Sequence, residues 1–499
     1  MAKTPETSQY VLLPPQGLRA TAAASPEARA FLQSAGEATG RQTLSVDGGN
    51  DVPISVVDSI GPDGAKLIEL SEESALSIRA MRPDLRLVPV VYYTPAVLPP
   101  ERIEEGAGPG GRAAAAAGSI TLQVVSKKGG VPVANAYVVA FVDYKTRKGA
   151  QGITDQDGKV SLALSKASIT LDRLYVYPLD AHWSIIKKKL AVKTGTKVVL
   201  NPLDLGFKDG LRHFYGNAED GVGAGVTVGV VDTGVSDHPD LVIAGGANTV
   251  PGENRNDFGD NGRSHGTHVA GIIAARGEPP TGLRGVAPGV TLRSYRVFAK
   301  NSGQASSFAI AKAIDIAVAE KCDLINMSLG GGSPDPVLKA AVDEARAGGS
   351  LCIIATGNND RSPVSFPAIE GSALAVAAMG RKGTFPSSAA ANDEIAAPYG
   401  TDKKNFVAAF SNIGTEVDLT GPGVGIMSTV PGSYAEISGT SMACPAATGA
   451  AARAIAGTKV IKMKRNARRS EAVVKAVLAS ATPLGFGPVF EGLGLPDTK

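Results

Sequence analysis

A serine hydroxyl is a poor nucleophile at neutral pH. It needs an adjacent base, and the base needs a partner that fixes its tautomer and stabilises its protonated form. Three segments far apart in this 499-residue chain hold one such group each. Asp232 ends the apolar run 228–232 before Thr233-Gly234. His265 stands in Ser264-His265-Gly266-Thr267-His268, and Ser441 in Ser438-Gly439-Thr440-Ser441-Met442-Ala443-Cys444-Pro445. Singly, each has a structural reading: a turn after a strand, a helix start, a cap. Jointly they supply an orienting acid, a base and a nucleophile. The pair His265 and His268 lacks the nearby glutamate of the helical zinc-protease motif.

The elements that must carry these groups follow from periodicity. His265 opens a helix over 264–275, where Gly266, Ala270 and Gly271 allow close packing. Ser441 opens a second helix, running through Ala443, Ala447, Gly449 and Ala450 to about residue 456, and at a helix start its own N–H is free to bind an oxyanion. After residue 205, apolar strands at 226–232, 292–298, 322–328, 351–357 and 374–379 alternate with helices at 306–320 and 336–347. This is the α/β pattern of a doubly wound, mostly parallel sheet, in which functional groups gather at the carboxyl ends of strands. Asp232 and Asn358 stand at such ends.

The length exceeds what one core usually serves, so two or three domains are expected. Apolar content of 43% and charged content of 19% are ordinary for a globular protein, and a net charge of +3 gives no footprint for nucleic acid or membrane. The basic run Lys459, Lys462, Lys464, Arg465, Arg468 and Arg469 reads as a solvated connection. The N-terminus has no apolar run of signal-peptide type, and no stretch reaches the length of a membrane span, so a cytoplasmic address is expected. Cys322, Cys352 and Cys444 are too scattered for a disulfide framework and read as buried, reduced thiols.

Residues 1–99 alternate strand-like stretches (10–13, 65–70) with helices (26–34, and one capped by Ser71 with Glu72 and Glu73 in its first turn), ending in an extended piece at 85–93. Residues 100–119, rich in Gly, Ala and Pro, form a linker and the likeliest place for a cut. Residues 120–203 carry short alternating strands that suggest a small β-sandwich, with Asp157-Gly158 as a hairpin turn. Asp155-Gln156-Asp157-Gly158 lacks the later bidentate Glu of a calcium loop and reads as a plain turn. The α/β part is residues 204–499.

The segments around Asp232, His265 and Ser441, with Ala355-Thr356-Gly357-Asn358, resemble the subtilisin-like serine proteases over residues 205–485. The resemblance implies a serine endopeptidase acting through an acyl-enzyme on protein or peptide substrates, with the Asn358 amide as a second oxyanion donor. Ser328-Leu329-Gly330-Gly331 and Ala355-Thr356-Gly357 then pair with an extended substrate, and Ser365 floors the pocket. With no charge in that pocket and a neutral Asn359 beside it, an uncharged, apolar side chain is expected before the scissile bond. Residues 1–99 resemble the family's inhibitory prodomain in pattern, and 131–164 resemble transthyretin-like modules. The tail 87–95 is expected to lie in the cleft beside Gly330 and Gly357, restraining the enzyme in cis.

The chain departs from the family at Ala446 and Ala447, where histidine and valine are usual, which bears on helix packing rather than chemistry. No redox or organic cofactor is required. Calcium is an expectation of the resemblance at Asp240, in His238-Pro239-Asp240-Leu241, although the completing segment Glu278-Pro279-Pro280-Thr281-Gly282-Leu283 places prolines where oxygen-bearing side chains are usual. Cys444, one turn after Ser441, reads as a small core residue, with sensitivity to thiol reagents as the alternative. Two rivals stand beside the endopeptidase reading. One is a peptide-docking scaffold without catalysis. The other is a dedicated processing protease whose β-sandwich docks a partner protein.

Overall fold

The computed structural model describes residues 7–20, 25–36, 40–47, 50–103, 118–164 and 166–497. The N-terminal part is an antiparallel five-stranded sheet in the order Gly40–Asp47, Asn50–Ser59, Lys66–Ser71, Thr7–Leu13, Arg86–Pro89, with helices Pro26–Gly36 and Glu72–Met81. Ser71 caps the second helix by accepting the Ser74 N–H, with Glu72 and Glu73 in the positive first turn. Leu12, Leu32, Ile54, Ile68 and Ile78 form its core. The first hairpin of this sheet is absent from the sequence reading, although Val52, Ile54 and Val56 alternate into the core with the period of two that marks a strand.

The extended piece expected at 85–93 is two strands. Arg86–Pro89 stays in the N-terminal sheet, whereas Tyr92–Pro95 leaves it and joins Ala305–Ser306 and Leu329–Gly330 in a separate three-stranded sheet. The N-terminal sheet itself rests on helices Ser307–Ala319 and Pro336–Ala347. Val11, Leu13 and Leu67 share a core with Phe308 and Val337, and Arg19 pairs with Asp315 at 2.8 Å.

Residues 119–200 fold as two facing sheets around Ile120, Leu122, Val138, Leu162 and Leu174. The expected hairpin at Asp157-Gly158 is instead a crossover. Lys148–Ile153 belongs to the four-stranded sheet, whereas Lys159–Ala163 pairs with Ser119–Ser126 in the three-stranded one. Asp155 Oδ1 accepts the N–H groups of Asp157 and Lys159, and Gly158 takes a φ of 68°, so the segment is an Asx-stabilised corner between sheets. Most of the expected linker, residues 104–117, lies outside the described residues.

The C-terminal part is built on a nine-stranded sheet whose path runs Ile243–Asn248, Thr291–Arg296, Thr227–Asp232, Leu324–Met327, Leu351–Ala355, Leu374–Arg381, Asn405–Ala408, Ile395–Tyr399, with Leu419–Pro422 also beside Leu374–Arg381. From Ile243–Asn248 to Leu374–Arg381 the pairings are parallel. Thr227–Asp232 and Leu351–Ala355 are buried nearly throughout, which is why they read as continuous apolar runs. Helix Thr440–Ile455 packs on this sheet and on helix His265–Ala274, and a Cβ at Gly449 would meet Val286 at 2.6 Å and the Ile273 carbonyl oxygen at 3.6 Å. No helix among the described residues is long and apolar enough to cross a membrane.

The basic run is not simply a solvated connection. Lys459, Lys462, Lys464 and Arg468 are at least partly exposed, but Arg469 is buried, and it and Arg465 converge on Asp323. Asp323 also accepts the Thr227 N–H, so one carboxylate ties the last long helix, Ala467–Ala479, to the first residue of a central strand. Removing that partner strands a buried guanidinium. Asp323→Ala should therefore cost about 3–5 kcal/mol, read as a lowered thermal unfolding midpoint, whereas Arg468→Ala should change stability by no more than about 0.5 kcal/mol.

Candidate active site

The strand Thr227–Asp232 delivers Asp232 to its carboxyl end, and the chain must then turn sharply so that helix His265–Ala274 can begin beside it. Two glycines make that crossing possible. A Cβ at Gly234, whose φ is 94°, would lie 2.0 Å from the Gly259 carbonyl oxygen, and one at Gly266 would lie 2.3 Å from the Gly234 oxygen. Thr233 fastens the crossing, its Oγ1 accepting the Gly266 N–H at 2.8 Å. Asp232 and His265 are thereby brought together, Nδ1 of the imidazole 2.7 Å from Oδ1 of the carboxylate, with both side chains buried. Nδ1–H donates, which leaves Nε2 as the basic nitrogen. That Nε2 is buried without a hydrogen-bond partner among the described residues.

Ser441 is the second residue of helix Thr440–Ile455. Its Oγ donates to the Ser328 carbonyl oxygen at 3.0 Å, and its own carbonyl accepts from Ser328 Oγ at 3.0 Å. The second contact exists because Pro445, four residues on, has no N–H to donate to that carbonyl. Asn326 supports Ser328 through Nδ2 at 3.0 Å, while its Oδ1 accepts from Thr448 and from Cys444 Sγ. Cys444 is thus a packed core thiol, its pKa pushed up to about 12 by burial. Ala446 and Ala447 are fully buried, filling the family's larger positions with methyl groups.

Asn358 follows strand Leu351–Ala355, and its Oδ1 accepts both the N–H and the hydroxyl of Thr440, at 2.8 and 2.9 Å. With its oxygen held there, its NH₂ turns the other way, toward the cleft that Asn358 lines together with His265 and Ala96. Thr440, unremarked in the sequence reading although it sits within Gly-Thr-Ser, is what sets this orientation. Asn412 holds the neighbouring loop, accepting from Asn359 N and donating to Thr356 O.

The residues expected to bind substrate surround a piece of this chain. Thr94 and Pro95 pair with Gly330 and Leu329 in antiparallel register. Ala96 N donates to Ser328 O at 3.0 Å, and Ser441 N donates to the Ala96 carbonyl at 2.9 Å. Beyond it, Leu98 N donates to Ser438 O at 2.9 Å. Gly331, Gly357 and Ser365 line the same cleft, Ser365 Oγ donating to Thr356 O, and Ala355 is buried behind them. The second neighbour of the tail is Ala305–Ser306 rather than Gly357. Tyr93 is wholly buried against Phe366, its hydroxyl 3.4 Å from Asp335. An extended chain therefore crosses the site with the Ala96–Val97 peptide at Ser441.

The profile of the Subtilase family matches residues 223–490. Subtilisin Savinase of Lederbergia lenta is 38% identical over 279 residues, 56% of this chain and 90% of that protein. Subtilisin DY of Bacillus licheniformis is 39% identical over 236 residues, 46% of this chain and 76% of that protein. Alkaline elastase YaB of Bacillus sp. (strain YaB) is 38% identical over 279 residues, 56% of this chain and 64% of that protein. The chain belongs to the subtilase family. It is a subtilisin-like serine endopeptidase.

Calcium at Asp240 does not fit this subtilase. Asp240 Oδ2 accepts the Leu283 N–H at 2.8 Å and the Tyr434 O–H at 2.9 Å, so protein donors already point at the carboxylate. The Gly277 and Gly282 backbones close over it, where a Cβ would come within 2.3 and 2.8 Å of its oxygens. Among the described residues, no group of three or more His, Cys, Asp or Glu could hold a metal ion.

His268, the other histidine of the motif, points away from the chemistry, its Nε2 donating to Ala435 O at 3.1 Å. Burial, and secondarily the neighbouring His265, lower its pKa to about 3. The unfolded chain takes up this proton near the ordinary value of about 6.5 and the folded chain does not. The stability that His268 contributes is therefore full above the unfolded pKa and is lost as the pH falls from there toward 3. His268→Gln, which keeps a donor for Ala435, should show a shallower fall of the thermal midpoint than wild type as the pH drops below about 6.5.

Proposed function

We propose that Asp232, His265 and Ser441 cleave peptide bonds through an acyl-enzyme, and that residues 1–99 hold the enzyme closed by lying in the groove that a substrate would fill. The observation that carries the reading is the 2.9 Å hydrogen bond from Ser441 N to the Ala96 carbonyl, made while the strand Tyr92–Pro95 is paired on both sides. On this reading Ser441 Oγ turns from Ser328 toward His265 Nε2, gives up its proton there, and attacks the carbonyl carbon. Ser441 N–H and the Asn358 amide hold the developing oxyanion, and His265, oriented by Asp232, returns the proton to the leaving amine.

Specificity follows from the same segment. Ala96 occupies the position before the bond and is small and apolar, and Tyr93, three residues earlier, fills a deep aromatic pocket of the groove. Burying such a ring contributes about 1.5–3 kcal/mol. Tethering raises the local concentration of the tail to the order of millimolar, so an intrinsic Kd of ~10 μM would leave the groove open only ~1% of the time. The intact nucleophile, base and oxyanion donors favour catalysis over a docking scaffold. The three buried free thiols suit a reducing compartment, as a processing protease inside the cell would require.

Ser441→Ala and His265→Ala should each abolish hydrolysis of a fluorogenic peptide carrying Tyr four residues and Ala one residue before the bond, without loss of fold by circular dichroism. Turnover equal to wild type would refute the assignment. Asn358→Ala should lower kcat by on the order of a hundred- to a thousandfold with KM little changed, a magnitude known from subtilisin itself.

For the restraint, the full chain is compared with Tyr93→Ala and with a form beginning near Gly118, to which the 1–99 fragment is then added back. Higher activity in both altered forms, reversed by the fragment, is the expected result. Equal activity throughout would mean that the N-terminal part serves folding or another partner.

A further inference from the structure

Past the peptide at Ser441, the chain does not turn back into solvent. Leu98 is held by Ser438, and residues 99–103 then run onto the β-sandwich. Glu101 N–H donates to Tyr177 Oη at 3.3 Å. The Glu101 carboxylate is gripped at both oxygens, Oε1 by the Tyr144 hydroxyl at 2.8 Å and Oε2 by Arg147 Nη1 at 2.6 Å. Arg147 reaches on to the Arg102 carbonyl at 2.7 Å and stacks over Phe141, 4.6 Å from the ring centroid. A guanidinium fixed on an aromatic face, with a phenol beside it, is a receptor built for a carboxylate.

The sandwich that carries this receptor is locked to the catalytic unit. Asp393 accepts from Tyr175, Arg173 and Lys188 of the sandwich at 2.6, 3.0 and 2.8 Å. Alongside, Ile185 bridges to Ala389 and the Ile186 N–H donates to Ser388 O at 3.0 Å. Between the two units a cavity of about 390 Å³ runs beneath Val97 and Leu98, walled by Tyr177 on one side and by Glu394 and Ser438 on the other. The chain thus runs from Ser441, bonded at Ala96, to Arg147, bonded at Glu101, over a cavity that Val97 and Glu101 both line.

We propose that the β-sandwich forms the leaving-group half of the substrate groove, and that Arg147 with Tyr144 receives an acidic side chain on the fifth residue after the scissile bond of a protein substrate. The proposal rests on the reading of Ala96–Val97 as the peptide at the nucleophile, with Glu101 as the substrate's stand-in. It makes the sandwich a specificity element of the protease rather than a dock for a separate partner.

The test uses full-length protein, wild type and Tyr93→Ala, with three internally quenched peptides. One has the sequence of residues 92–103, the second carries Glu101→Gln, and the third stops after Leu98. The Glu peptide should be cleaved with kcat/KM about fivefold above the Gln peptide, the scale of one partly exposed charge pair, with the difference in KM. Arg147→Gln should erase that preference, Arg147→Lys should restore part of it, and Tyr144→Phe should reduce it, at unchanged thermal midpoints. Equal rates on the Glu and Gln peptides, with the short peptide cleaved, overturn the proposal and leave the catalytic reading standing. Cleavage of none of the three by either form overturns both.

Discussion

The site depends on one close crossing of backbone, where the turn after strand Thr227–Asp232 passes the first residues of helix His265–Ala274. Any side chain at Gly234 or Gly266 would separate them, because a Cβ at either would sit within 2.3 Å of a carbonyl oxygen. The separation would cost the 2.7 Å contact between His265 and Asp232, and with it the tautomer that leaves Nε2 basic. The chemistry of the three side chains is therefore a consequence of two residues that have none. Ser441 meets the cleft that His265 lines through its N–H bond to Ala96, on a helix whose small residues let it pack on both the sheet and the histidine helix.

Much of this is legible in the sequence because it is local. A continuous apolar run ending in Asp232 announces a buried parallel strand and puts the carboxylate at its end. Helix starts at His265 and Ser441 follow from the motifs, and Ser71 caps its helix as its position beside Glu72 and Glu73 implies. What escapes is long-range. Asp157-Gly158 has hairpin chemistry, yet the strands it joins lie in different sheets, since a corner and a hairpin require the same turn residues and differ only in where each strand finds its partner. Arg469 looks solvated because its neighbours are, and only the fold brings Asp323 to it from 146 residues away.

The Asp240 expectation fails for a related reason. A motif carries the residue that could bind an ion but not the loop that competes for its lone pairs, and here the Leu283 N–H and Tyr434 O–H already point at them. The tail pairs with Gly330 as its extended pattern suggests, but its other edge meets Ala305–Ser306 instead of Gly357, because alternation shows that a segment is extended without showing which edges it will join.

Holding a chain on both sides of the peptide at Ser441 has a consequence for its fate. Upstream, Tyr93 is buried and Tyr92–Pro95 is paired on both edges, while downstream Leu98 is bonded to Ser438 and Glu101 to Tyr144 and Arg147. With Ala96–Val97 as the bond attacked, acylation of Ser441 would free the amine of Val97 without releasing it, since the contacts beyond it do not involve the broken bond. An amine kept in attacking geometry has an effective concentration far above that of a diffusing product. It would re-form the peptide in competition with water, so tight binding on the leaving-group side slows net hydrolysis even where the chemistry is intact. On the proposed reading, a free substrate with the same acidic residue but no tether upstream would gain the binding and keep the option of leaving. On that reading, the same receptor for a carboxylate would serve restraint when the groove is filled in cis and selection when it is filled in trans.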